Sequence, residues 1–189
     1  MKSCKSSALV LAAALLSAPA LAVEYGTVDP AASTLKFEYA QMGVSLDGAF
    51  KQFNAELSFD PARPQAARTV VEVPLKAIDT GSEEGDEEVG GKDWFNTGAH
   101  PLARFESNSV KVIDSAHLEV SGTLTIKGRS RDITTPVVVT ESAGKASFEG
   151  SFKLNRVDFG IGEGMWAKDD VVAHEITIAF HLVATPVAK

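Results

Sequence analysis

Leu118-Glu119-Val120-Ser121-Gly122-Thr123-Leu124-Thr125-Ile126 alternates between apolar and polar residues with one interruption, and Lys127-Gly128-Arg129-Ser130 follows it. Successive side chains of a strand point to opposite faces. Leu118, Val120, Leu124 and Ile126 therefore share one face, with Glu119, Ser121, Thr123 and Thr125 on the other. A strand of this kind buries one side only, which is the habit of antiparallel sheets.

The same pattern recurs in both directions along the chain. Leu35, Phe37 and Tyr39 alternate with Lys36 and Glu38. Phe53, Ala55, Leu57 and Phe59 alternate with Asn54, Glu56 and Ser58, and Val71, Val73 and Leu75 with Glu72, Pro74 and Lys76. Phe148, Phe152 and Leu154 share a face, and Ile176, Ile178, Phe180 and Leu182 form the last set. Segments 102–113 and 131–140 are less regular but rich in Val, Ile and Phe, which brings the expected strands to eight. Turn residues separate them: Gly43 and Gly48, Asp60-Pro61-Ala62-Arg63-Pro64, Asp114-Ser115, and Ser142-Ala143-Gly144. No linker or internal repeat divides the chain, so the reading is one antiparallel all-β domain. Eight half-buried strands close into a barrel or split into a sandwich. The long interruption between Thr80 and Pro101 carries Asp93-Trp94-Phe95, a triplet able to form a short amphipathic helix. It reads as a lid or plug over a barrel end, or as an ordinary loop that Trp94 and Phe95 anchor to the core.

Composition narrows the function classes. The 189 residues carry a formal charge of −7, which disfavours a surface that grips nucleic acid or anionic headgroups. Residues 1–22 read as a cleaved secretory signal. Lys2 and Lys5 precede the apolar run Ala8 to Leu16, and Ala20-Leu21-Ala22 supplies a small-x-small end. The run is too short to cross a bilayer, so no stable membrane insertion is expected. Without this segment the two lysines and Cys4 are lost, and residues 23–189 form an exported, cysteine-free domain with a charge of −9.

Motifs for chemistry are scarce. There is no Gly-x-Ser-x-Gly and no phosphate loop. Gly160-Ile161-Gly162-Glu163-Gly164 reads as a flexible turn before the last strand. His100, His117, His174 and His181 lack the spacing of a metal site and read as surface or rim residues, so no metal and no cofactor is expected. Glu83-Glu84-Gly85-Asp86-Glu87-Glu88 lacks the pattern of a calcium loop and reads as a solvated, mobile loop. What remains is an apolar interior rich in aromatics. A barrel of eight strands has room either for a packed core or for one small ligand.

Several fragments together resemble the YceI family. They are Tyr25, Asp29-Pro30, Ser33 and Phe37; Gly48-x-Phe50-x-x-Phe53 with Phe59-Asp60; and Ile78-Asp79-Thr80-Gly81. Asp93-Trp94-Phe95 with Pro101, Phe105 and Ser107 follows, then Val120-x-Gly122-x-Leu124-Thr125-Ile126-Lys127-Gly128, and Asn155 through Gly162. The resemblance implies an eight-stranded lipocalin-like barrel, with a short helix in the loop after the third strand, that binds polyisoprenoid lipids. It also implies a periplasmic, non-enzymatic binding protein, with a homodimer as one possible state. Two departures limit it. Glu83–Val89 stands where many members carry Arg-Asp-x-His, and Gln41 where many carry histidine, so no residue role is carried over at the mouth.

On this reading the tail of a quinone, prenol or prenyl pyrophosphate lies among Phe37, Tyr39, Phe53, Leu57, Phe59, Val73, Phe105, Leu124, Phe148, Phe152, Ile176, Ile178 and Phe180. Trp94, Phe95 and Trp166 close the mouth. Arg156 and Lys168 are candidates to touch a headgroup, against the plainer role of surface ion pairing. The alternatives are an enzyme acting on a lipid at the mouth, or a stress-protective interaction protein with a packed barrel.

Overall fold

The computed structural model describes residues 23–187, so the expected export signal over residues 1–22 lies outside the described residues. Eleven strands form one antiparallel sheet: β1 (Tyr25–Val28), β2 (Thr34–Gln41), β3 (Val44–Phe50), β4 (Asn54–Phe59), β5 (Arg68–Pro74), β6 (Ile78–Asp79), β7 (Leu102–Val112), β8 (His117–Ile126), β9 (Arg129–Ser142), β10 (Lys145–Asn155) and β11 (Glu175–Pro186). They trace eight paths around a closed barrel. β11 pairs with β2 through one half and with β1 through the other, β4 pairs with both β1 and β5, and β3 lies between β2 and β6. The pairs β1/β2, β3/β4 and β5/β6 are thus three long strands, each broken once. From β7 onward the strands run unbroken in simple up-and-down order.

Local chemistry explains the breaks. Pro30 has no amide to give to a ladder, and the Asp29 carboxylate accepts the amides of Ala31 and Ala32 at 3.1 and 3.3 Å. Ser33 then splices the two halves. Its hydroxyl donates to the Asp29 carbonyl at 2.7 Å and accepts the Val183 amide of β11 at 2.9 Å. After Pro74 the chain makes a 3₁₀ turn, Leu75–Ala77, whose Ala77 carbonyl accepts the Lys51 amide at 2.9 Å. The breaks of the second and third paths therefore brace each other. Tight hairpins join the paths where two consecutive residues take positive φ, at Met42-Gly43, Lys127-Gly128 and Ala143-Gly144. Gly43 is in a turn as expected; Gly48 is not, and sits inside β3.

The acidic run departs from its expected loop and forms α1 (Glu83–Gly90). The Ser82 hydroxyl caps it by accepting the Gly85 amide at 3.1 Å, and Glu83, Glu84 and Asp86 fall in the first turn, where the helix dipole favours negative charge. Asp86 also accepts the Thr80 amide and hydroxyl at 2.7 and 2.8 Å, tying the helix to the strand before it. The one short α-helix after the third path is thus the acidic segment, while Asp93-Trp94-Phe95 lies in the turns that follow it. Among the described residues no helix is long and apolar enough to cross a membrane.

Buried residues gather at the two ends of the barrel. One cluster contains Tyr25, Phe59, Phe148 and Leu182; the other contains Leu75, Trp94, Phe159, Ile161 and Val172.

Candidate binding cavity

The interior between these clusters is hollow. A cavity of about 560 Å³ runs along the barrel, a size typical of small-molecule sites. A solidly packed barrel is therefore not what the chain forms. Inward positions of every path border the cavity: Phe37 and Tyr39 on the first, Leu57 and Phe59 on the second with Phe53 in its break, and Val73 on the third. Phe105, Leu124, Val137, Phe148, Phe152, Ile176, Ile178 and Phe180 follow, from β7, β8, β9, β10 and β11. Several rings touch, with Phe37 and Phe50 centroids 5.2 Å apart and Phe59 edge-on to Phe148 at 5.0 Å. Phe50 borders the cavity as well, although the sequence pattern assigns it no inward face, because Gly43 and Gly48 together look like one long turn. Leu35, Val71 and Val120 also border the cavity, and the alternation already placed them on its face.

One end carries the 80–101 segment and residues 156–174, and the three aromatic residues expected at the mouth all border the cavity there. Trp94 is buried beside Trp166, their centroids 5.5 Å apart, with Phe95 next in the chain. The Trp94 indole N–H has no hydrogen-bond partner among the described residues. Exposed Ser82, Glu84 and Glu88 border the same cavity from α1 and its cap, so the lumen meets water on this side. Tyr39 reaches toward it, its hydroxyl donating to the Thr80 carbonyl at 3.1 Å, and burial raises its pKa.

Arg156 requires a correction. The side chain is only 1% exposed, so it makes no surface ion pair. Its Nε donates to the Ala173 carbonyl, Nη1 to those of Ile161 and Gly162, and Nη2 to those of Trp166, Lys168 and Val172, all within 3.1 Å. Every donor of the guanidinium is spent on main chain, which leaves none for a headgroup. Its carbon Cζ stands 5.4 Å from the centre of the Trp94 ring, so the cation also holds that ring. Burial lowers its pKa, although a guanidinium stays charged. Lys168 is exposed and enters only through its carbonyl.

A second cation closes the same end. The Lys127 ammonium, at the β8–β9 turn, donates to the carbonyls of Lys92 and Gly160 at 3.0 and 2.6 Å and to Glu163 at 3.1 Å. Arg129 also donates to Glu163, at 3.0 Å, and the Glu163 amide donates to the Asp93 carbonyl at 2.7 Å. The Lys127 hydrogen bond, with its charge, lowers the Glu163 pKa. The glycine run at 160–164 is thus pinned, with Ile161 only 5% exposed, and not the flexible turn expected. Sequence reading had no means of pairing Lys127 or Arg156 with carbonyls, because any residue supplies one.

A family model described as YceI-like domain matches residues 27–184. A UPF0312 protein of Ectopseudomonas mendocina is 32% identical over 179 residues, covering 88% of this chain and 91% of that protein. The crystal structure of Burkholderia cenocepacia BcnA is similar with a TM-score of 0.81 and 36% identity, over 84% of this chain and 99% of that one. A polyisoprenoid binding domain from Saccharophagus degradans has the same fold, with a TM-score of 0.68 at 16% identity over 88% of this chain and 99% of that one.

Proposed function

The chain belongs to the family of YceI-like domains, and from that premise we propose that the barrel binds a long-chain isoprenoid lipid in its lumen and sequesters or carries it. The observation that carries the reading is a hollow interior bordered by apolar and aromatic side chains on all eight paths and meeting water at one end. Removing hydrocarbon from water is worth about 25 cal/mol per Å², so such a lumen holds a long tail without any catalytic group. The S. degradans domain of the same fold is described as polyisoprenoid binding, which agrees. Export through residues 1–22 would place the carrier in the periplasm.

The head of the ligand is neutral on this reading, a quinone or prenol ahead of a prenyl pyrophosphate. Glu84 and Glu88 border the opening, the charge of residues 23–189 is −9, and the buried guanidinium has no free donor. Protein purified from its own host and examined by native mass spectrometry should carry an extractable isoprenoid. Repeated preparations that yield only detergent or nothing would end the carrier reading. Titration followed by Trp94 and Trp166 emission should show tighter binding of a quinone than of farnesyl pyrophosphate; the opposite order removes the neutral head.

A further inference from the structure

Three phenylalanines of the lumen lie across glycines of the neighbouring strand. A Cβ placed on Gly48 would sit 2.1 Å from Cζ of Phe37, one on Gly122 2.6 Å from Cζ of Phe105, and one on Gly150 2.5 Å from Cζ of Phe180. Phe37 faces Gly48 directly in the β2–β3 register and Phe180 faces Gly150 in the β10–β11 register. Phe105 faces Leu124, one same-face step from Gly122. A ring folded over a residue without a side chain lies along the wall, where a ring beside an ordinary neighbour would stand into the lumen. The glycines therefore widen the bore.

The three are not equivalent. A Cβ on Gly122 or Gly150 also meets a main-chain oxygen, of Glu106 at 2.4 Å or Pro136 at 2.5 Å, so substitution there strains the sheet itself. At Gly48 the three nearest atoms all belong to the Phe37 ring, so that side chain is the first to give way. It has little room along the wall. Phe50 stands on one side, Tyr39 is 5.9 Å away, and Tyr39 is fastened to Thr80. The space left for a displaced ring is the cavity.

We infer that Gly48, acting through Phe37, is a specificity-determining position that admits methyl-branched isoprenoid chains where a narrower bore would take only slender linear ones. This rests on the lipid-binding reading above. The test compares geranylgeraniol with a linear unsaturated alcohol, oleyl alcohol, by tryptophan quenching on wild type, Gly48→Ala, Phe37→Leu and the double variant. Gly48→Ala should weaken geranylgeraniol by about tenfold, as overpacking does, and leave the linear alcohol nearly unchanged. Phe37→Leu in the same chain should restore the branched ligand, because the smaller side chain clears the lumen. Equal losses for both alcohols, no loss for either, or no rescue would overturn the inference. If Gly48→Ala does not fold, Phe37→Leu alone decides: it should raise the preference for geranylgeraniol, and an unchanged ratio overturns the proposal. Wild type that binds neither alcohol is a different result, since it removes the lipid reading itself.

Discussion

At the end of the barrel where Tyr25, Phe59 and Phe148 meet, closure is a matter of side-chain volume. The rings touch, Ala146 and Ala184 are completely buried behind them, and the Tyr25 hydroxyl reaches out to Glu141 at 3.0 Å. At the opposite end Trp94 and Trp166 are also large, but what holds their segments are two cations that donate to main-chain carbonyls far apart in sequence. A packed end loses stability in proportion to the atoms removed. A latched end depends on single groups, and losing one strands several carbonyls at once. The lumen meets water at the latched end, beside Ser82, Glu84 and Glu88, and is lined by packed rings at the other.

Removing the latch is the severest way to test this contrast. Arg156→Met leaves six carbonyls without their donor and should cost about 3–5 kcal/mol, read as a lower urea midpoint. Hydrogen exchange should quicken over residues 156–174 before it does elsewhere. Arg156→Lys should rescue little, since an ammonium cannot reproduce the planar fork. A variant with unchanged exchange in that segment would contradict the latch.

Phe148→Ala attacks the packed end. Loss of a buried ring typically costs about 3 kcal/mol or more, here softened because the new space joins an existing cavity. The loss should be independent of salt and should leave the exchange of residues 156–174 in place. Selective loosening of that segment would show that the two ends are not separable.

The smallest effect concerns acid. Glu163 has its pKa depressed by Lys127, so its contribution is complete above the ordinary glutamate range and is lost as the pH falls through the lowered folded value. Asp60 and Asp114, near the packed end, are depressed as well, chiefly by the amides of Ala62 and Ala116, so acid loosens both ends. Glu163→Gln isolates the latched end's share. It should cost under about 1 kcal/mol, because the Glu163 carboxylate is half exposed, and should flatten the acid dependence of tryptophan emission. An acid transition in emission identical to wild type would show that Glu163 does not fasten the latched end.

Much of the barrel was legible because strand alternation is local. LEVSGTLTI, with its turn at Lys127-Gly128, forms a strand and hairpin in the form its pattern implies, and the inward faces read from residues 35–39, 53–59 and 176–182 border the lumen except at Ala55. The breaks were not legible, since Ser33 bridges β1 and β2 only because β11 presents Val183 beside it. Glu83–Glu88 was misread for a related reason. Like charges favour solvent, but a serine cap and the helix dipole outweigh their repulsion over two turns. Gly48 was misread as a turn residue, since its real requirement is the ring of Phe37 on another strand.

The sequence by itself determined an antiparallel all-β chain, the number of its paths, and, for six of the eight, which side faces inward. These follow from a period of two that those six strands carry in their own residues. Tertiary structure alone decided that the lumen is hollow, that one end is packed and the other latched, and that Arg156 serves the backbone and no headgroup. Carbonyls, unlike side chains, leave no mark in a sequence. A cavity is likewise a property of opposed walls, written in no single strand.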